Sequence, residues 1–188
     1  MKVKYSDLKN KRVFITGGGS GIGASIVEHF CEQGSEVYFV DINIKETNRL
    51  LKKIKKNKFR MPNFIECNLL DINKLEKIIK KIISTKGPIH ALVNSAANDD
   101  RHTTDQVDEK YWENRMAINL KHYFFAAKAV VKAMKKIKSG SIVNLRADLS
   151  EYIGHEQIMT FDLANQELLA KFPSTIKIEL NKETKLYF

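Results

Sequence analysis

The stretch "TGGGSGIG" (residues 16–23) joins a short apolar run, "RVFITG" (12–17), to a helical pattern, "GIGASIVEHFCEQG" (21–34). In that pattern Ile22, Ile26, Val27 and Phe30 keep helical spacing, and Gly34 is a stop signal. Glycines at 17, 21 and 23 let the backbone turn tightly and approach a pyrophosphate. A helix start adds free N–H groups at the positive end of its dipole. The spacing is GxxxGxG, not the GxGxxG of the general dinucleotide fingerprint. Lying after a strand and before a helix, the loop reads as a nucleotide site contacted through Gly17, Ser20, Gly21, Ile22 and Gly23.

Strands and helices continue to alternate outward from this loop. "EVYFVD" (36–41), "FIEC" (64–67), "IHALVN" (89–94) and "GSIVNL" (140–145) read as strands. Residues 45–57, a helix capped by Asp71 and running to about Lys86, and a long pattern from about Glu109 to Lys138 read as helices. Residues 161–171 also read as helical, and "STIKIEL" (174–180) as a sixth strand. The alternation predicts an α/β fold, a doubly wound parallel sheet of about six strands in one domain over 1–188. Ligands of such sheets sit at the carboxyl ends of the strands, where strand order reverses.

Asp41 ends the second strand, where a carboxylate takes both ribose hydroxyls of an adenosine and repels a 2′-phosphate. Neither Ser20 nor Ile42 supplies a cation to reverse that preference, so NAD is expected over NADP. A solvated strand-end aspartate is the plain alternative.

The net charge of +10 comes almost wholly from lysines spread along helix faces, without clustered arginine or aromatic platforms, so no nucleic-acid partner is expected. No run reaches membrane-span length, and the first ten residues lack a signal-peptide core. Cys31 and Cys67 have neither CxxC nor Cys/His spacing, which predicts reduced thiols, no metal and a cytoplasmic location.

"TGGGSGIG", Asp41, "CNLLD" (67–71), "VNSAA" (93–97), "MAINL" (116–120) and "GSIVNL" resemble, in order and spacing, the short-chain dehydrogenase/reductase family. The likeness is good over roughly 8–145 and poor over 146–188, and residues 98–130 look most like its sugar dehydrogenases, fucose-type enzymes included. It implies that Asn68 and Leu69 meet the adenine edge, that Asn94, Ala96 and Ala97 line the adenosine side, and that Asn119 holds a water of the proton relay through its backbone. Asn119 could equally be a simple helix break. The family further implies a homo-oligomer.

The family's chemistry needs a serine after the fifth strand and a Tyr-x-x-x-Lys pair. Here "FDLAN" (161–165) falls on that pair, putting Phe161 for tyrosine and Asn165 for lysine. The serine falls on Ala147 or Asp148 according to the direction of counting. Phenylalanine has no ionisable proton, and losing a positioned acid costs about 10²–10⁴ in rate. Tyr152, His155, Glu156, Asp148 and Asp162 are spare acid/base groups or loop residues, and Asp99, Asp100, Arg101 and His102 are polyol contacts or an exposed loop. Relative to the family, the last strand and substrate lid are expected to be missing. Three readings stand: an impaired NAD-dependent oxidoreductase for a sugar-like alcohol or carbonyl, a non-catalytic NAD-binding protein, or a truncated, decayed product.

Overall fold

A computed structural model describes residues 3–98, 100, 102–145, 147–153, 156–163 and 166–173, the last three segments as backbone. The chain divides into two compact units, Met1–Asn98 with His102–Ile142, and Asp99–Arg101 with Val143–Phe188.

In the first unit β1 (Arg12–Thr16) is followed by α1 (Gly21–Glu32), β2 (Glu36–Asp41), α2 (Ile44–Lys56), β3 (Asn63–Glu66), α3 (Ile72–Lys86) and β4 (Ala91–Asn94). Helix α4 (Glu109–Met116), a π-helical turn (Ala117–Lys121) and α5 (His122–Lys136) follow, and β5 (Ser141–Asn144) straddles the boundary at Ile142. The strands form one sheet, β3-β2-β1-β4-β5, and β1 pairs in parallel with both β2 and β4. Successive strands add outward from β1 to β3, and the chain then crosses to the opposite side for β4. The order therefore reverses between β1 and β4, where a doubly wound sheet opens its ligand crevice. The register sets Thr16 beside Val40 on one side and Asn94 on the other, so these strand ends are level.

Both faces of the central strands β1, β2 and β4 are covered, which is why they read as near-continuous apolar runs. Phe14, Tyr38, Val40 and Leu92 pack with Leu75, Ile79 and Ile82 of α3 and with Ala126, Val130 and Met134 of α5. The alternate residues Val13, Ile15, Val37 and Phe39 are also buried, as are Val27 of α1 and Leu50 and Ile54 of α2. Helices α2, α3 and α4 start on side-chain caps: Asn43 accepts from Glu46 N, Asp71 from Lys74 N and Asp108 from Tyr111 N.

In the second unit β6 (Ala147–Ile153), β7 (Glu156–Leu163) and β8 (Gln166–Pro173) form an antiparallel sheet in chain order. This corrects the helix read over 161–171. Phe161, Leu168 and Leu169 do carry helical spacing, but Met159, Phe161 and Leu163 also alternate with Thr160 and Asp162. The register sets Phe161 opposite Leu168 and Met159 opposite Ala170, so hairpin pairing overrides the helical period. The sixth parallel strand, read at 174–180, lies outside the described residues. The long helix read over 109–138 is two α-helices separated by the π turn.

Candidate nucleotide site

The glycine loop is closed by contacts that leave no room for side chains. Gly17 has φ 69°, and a β-carbon on it would stand 2.6 Å from the Ala96 Cα. A β-carbon on Gly23 would collide with the Gly17 carbonyl oxygen, so the first turn of α1 lies directly on the loop. The amides of Gly17 and Gly18 both donate to the Val40 carbonyl, at 2.8 and 3.2 Å, which ties the loop to β2. Ser20 sits at the N-cap of α1 with extended backbone and makes no side-chain cap hydrogen bond. Ser20, Gly21 and Ile22 are exposed.

Asp41 is half-buried beside the loop. One carboxylate oxygen accepts from Gly19 N at 2.8 Å, and the other from Asn43 N at 2.8 Å. Each oxygen keeps lone pairs for a further donor, while rotation of the group is fixed. An open cleft of about 320 Å³ runs from Gly19, Ser20 and Gly21 between α1 and α2. Its two cations are engaged, Arg49 with Glu46 and Lys53 with Glu28, each at 2.6 Å. Ile42 is exposed at the rim.

Asn68 is exposed after β3; its Oδ1 accepts from Leu70 N at 3.0 Å, while Leu69 is buried. Asn94 is buried at the end of β4 and its Nδ2 donates to the Tyr123 carbonyl at 3.5 Å. Asn119 lies in the π turn, where His122 N bonds back to the Ala117 carbonyl. Its side chain brackets one residue's backbone: Oδ1 accepts from Asn98 N at 2.8 Å and Nδ2 donates to Asn98 O at 2.9 Å. Asn119 therefore marks a local change of helical pitch and pins the segment after β4.

Two interior residues escaped the sequence reading. Thr16 Oγ1 lies 3.2 Å from Ser95 N, 3.4 Å from Ala96 N and 3.2 Å from His122 Nε2. His122 is fully buried, and burial holds its imidazole down at about 4, against the carbonyls of Ile118 and Ala117, which favour the charged form. The available signal was a four-residue period: His122, Ala126, Val130 and Met134 are the buried stripe of α5.

Among the other candidates, His102 stacks on Tyr111 at 4.3 Å, with the Arg115 guanidinium 4.7 Å from the same ring. Phe161, Asp162 and Glu156 lie in β7, and Ala147, Asp148 and Tyr152 in β6. Asn165, His155, Asp99 and Arg101 lie outside the described residues.

A level row of strand ends, a glycine turn packed on a helix start and a strand-end carboxylate together define a doubly wound nucleotide-binding domain. The family model described as short chain dehydrogenase matches residues 11–158, and the chain belongs to that family. A D-xylose 1-dehydrogenase of Caulobacter vibrioides is 36% identical over 160 residues, 85% of this chain and 62% of its own. A Rhizobium meliloti protein named "Probable galactose dehydrogenase" is 38% identical over 141 residues, 75% of this chain and 55% of its own. The solved aldohexose dehydrogenase of Thermoplasma acidophilum superposes with TM-score 0.64 at 28% identity, over 76% of this chain and 51% of that one. The chain thus spans a little over half the length of these relatives. The family's nicotinamide dinucleotide fits the residues present: Gly17 and Gly23 close the turn tightly, Gly21 faces open space, and the start of α1 has no side-chain cap.

Proposed function

We propose that the chain is the cofactor-binding part of an NAD-dependent oxidoreductase of the short-chain lineage, acting on a sugar-like alcohol or carbonyl, with turnover by the family mechanism impaired. The observation that carries the cofactor choice is Asp41, fixed by two backbone N–H groups beside the loop. A carboxylate so held accepts both hydroxyls of an adenosine ribose and repels a phosphate at the 2′ position. The ion-paired states of Arg49 and Lys53 support the same choice. Gly17, Ser20, Gly21, Ile22 and Gly23 would face the pyrophosphate, Ile42, Asn68 and Leu69 the adenine, and Asn94 and Ala96 the ribose beyond. The bound dinucleotide would supply hydride transfer; the chain's glycine loop, Asp41 and the start of α1 would orient it.

Sugar-like substrates are supported by the names of the relatives alone. Impairment is supported by Phe161 and Asn165 standing at the family's tyrosine and lysine positions. Cofactor positioning without that pair leaves a trace of turnover, and complete loss makes the chain a non-catalytic NAD-binding protein or a decayed product. A homo-oligomer is supported by exposed Trp112, Met116, Leu120 and Phe124, which recur every fourth residue along α4, the π turn and α5. A cytoplasmic location is supported by two free, buried cysteines, Cys31 and Cys67.

The cofactor reading is tested by titrating Asp41→Asn with NADH and NADPH. NADH affinity should fall by roughly tenfold or more while NADPH affinity does not fall, the loss of charge-assisted hydrogen bonds to one ribose. Equal losses for both nucleotides contradict the assignment.

A further inference from the structure

Among the described residues the buried polar side chains are Thr16, Ser35, Thr47, Asn94 and His122, and His122 is the one with an ordinary pKa near neutrality. Its surroundings determine which ring nitrogen carries the proton. The Ser95 amide is shared between Thr16 O and Thr16 Oγ1, both at 3.2 Å, the Ala96 amide reaches Oγ1 at 3.4 Å, and an amide can only donate. With both lone pairs engaged, the hydroxyl has its own proton left to give, and His122 Nε2 lies 3.2 Å away. Nε2 is therefore the acceptor and Nδ1 carries the hydrogen. The opposite side of the ring agrees. Nδ1 makes no hydrogen bond of normal geometry, yet the carbonyls of Ile118 and Ala117 lie against the ring. A bare nitrogen lone pair there would face oxygen lone pairs, whereas an N–H is drawn to them.

The next residue acts on the same turn. The Tyr123 hydroxyl donates to the Ala96 carbonyl at 3.2 Å, and its ring stands edge-on to His122 at 4.4 Å. Ala96 is thus held at its amide through Thr16 and at its carbonyl by Tyr123. Ala96 is also the residue against which Gly17 closes.

We propose that His122, as the Nδ1–H tautomer, is a positioning residue of the nucleotide site: it accepts from the Thr16 hydroxyl and so fixes the Ser95–Ala96 turn against the Gly17 loop. The proposal rests on the reading of that loop as a nucleotide site. It also links the π turn that carries Asn119 to the glycine loop, since the ring is anchored between the Ala117–Ile118 carbonyls and Thr16. His122 touches no reacting atom.

Two measurements test it. The first needs no nucleotide: two-bond ¹H–¹⁵N spectra of the full chain at neutral pH should show His122 protonated at Nδ1 and bare at Nε2. A ring protonated at Nε2 overturns the proposal. The second is a set of variants read by NADH fluorescence titration and by thermal unfolding. His122→Leu should weaken NADH binding about tenfold, the scale of one buried hydrogen bond and its unsatisfied partner. His122→Gln sets an amide oxygen near the place of Nε2 and should stay within about threefold of wild type. Thr16→Val should match His122→Leu, and the double variant should be no worse than either alone. Additive losses, or glutamine as harmful as leucine, overturn the proposal. If wild type binds no NADH, the nucleotide reading fails, while the tautomer and the coupling in thermal unfolding still decide the role of His122.

Discussion

A β-carbon at Gly23 has nowhere to go but into the Gly17 carbonyl oxygen, and one at Gly17 meets the Ala96 backbone at a positive φ. Gly23→Ala should therefore destabilise the chain by on the order of 2 kcal/mol and lower nucleotide affinity with it, as thermal unfolding and NADH titration would measure. Gly21 makes a useful contrast, because a β-carbon there meets open space and the strain is that of its φ, 53°, alone. The spacing of the glycines was legible in the sequence, since steric need leaves a residue type behind. His122 was not, because its partner Thr16 lies on another element and only the fold brings them together. Its pH signature follows from burial. The unfolded imidazole takes a proton below its ordinary value, while the folded one resists until about 4. Between those values the unfolded state binds more protons, so stability falls as pH drops through that window and changes no further below it. The shift corresponds to on the order of 3 kcal/mol for a fully buried ring. Its titratable contact, Tyr123, is pushed up to about 12 by burial and stays uncharged throughout. Denaturant midpoints of wild type minus His122→Gln, taken from pH 4 to 7, should isolate this slope. A flat difference would remove the ring from the account.

At the scale of elements, the sequence period found the α and β segments from β1 to β4 to within a residue or two, because apolar runs and capped helix starts leave strong marks, and it merged α4 and α5 into one helix. It ran straight through the π turn, since one wide turn shifts the phase of a helix too little to break its pattern. Asn119 announces that turn by bracketing the backbone N–H and C=O of Asn98. Asn119→Ala should cost about 1–2 kcal/mol and speed hydrogen exchange at the Asn98 amide, with the glycine loop unaffected. Asp71→Ala should cost about 1 kcal/mol through the lost cap on Lys74 N, an effect confined to α3. The segment 156–173 went the other way. Its residues satisfy both a helical and an alternating pattern, and cross-strand pairing, which the period of a single strand does not reveal, decides between them.

For the whole molecule, the charge of +10 distributes over helix surfaces and does not define a site. What defines one is the reversal of strand order between β1 and β4, which sets Thr16, Asp41, Asn94 and the glycine loop around one crevice. The residues proposed to touch the dinucleotide lie between Gly17 and Ala96, with His122 and Tyr123 behind them. The proposed impairment rests on residues after Asn144, where we align "FDLAN" with the family's Tyr-x-x-x-Lys pair. The central claim is thus a separable one: binding without efficient chemistry. It is tested most directly by titrating the full chain with NADH and NADPH by fluorescence, then assaying the same sample for oxidation of aldoses. The account predicts saturable NADH binding, at least tenfold weaker binding of NADPH, and turnover reduced by about 10²-fold or more from that of an intact family enzyme. Absence of saturable NADH binding, or turnover at the full rate of such an enzyme, would contradict it.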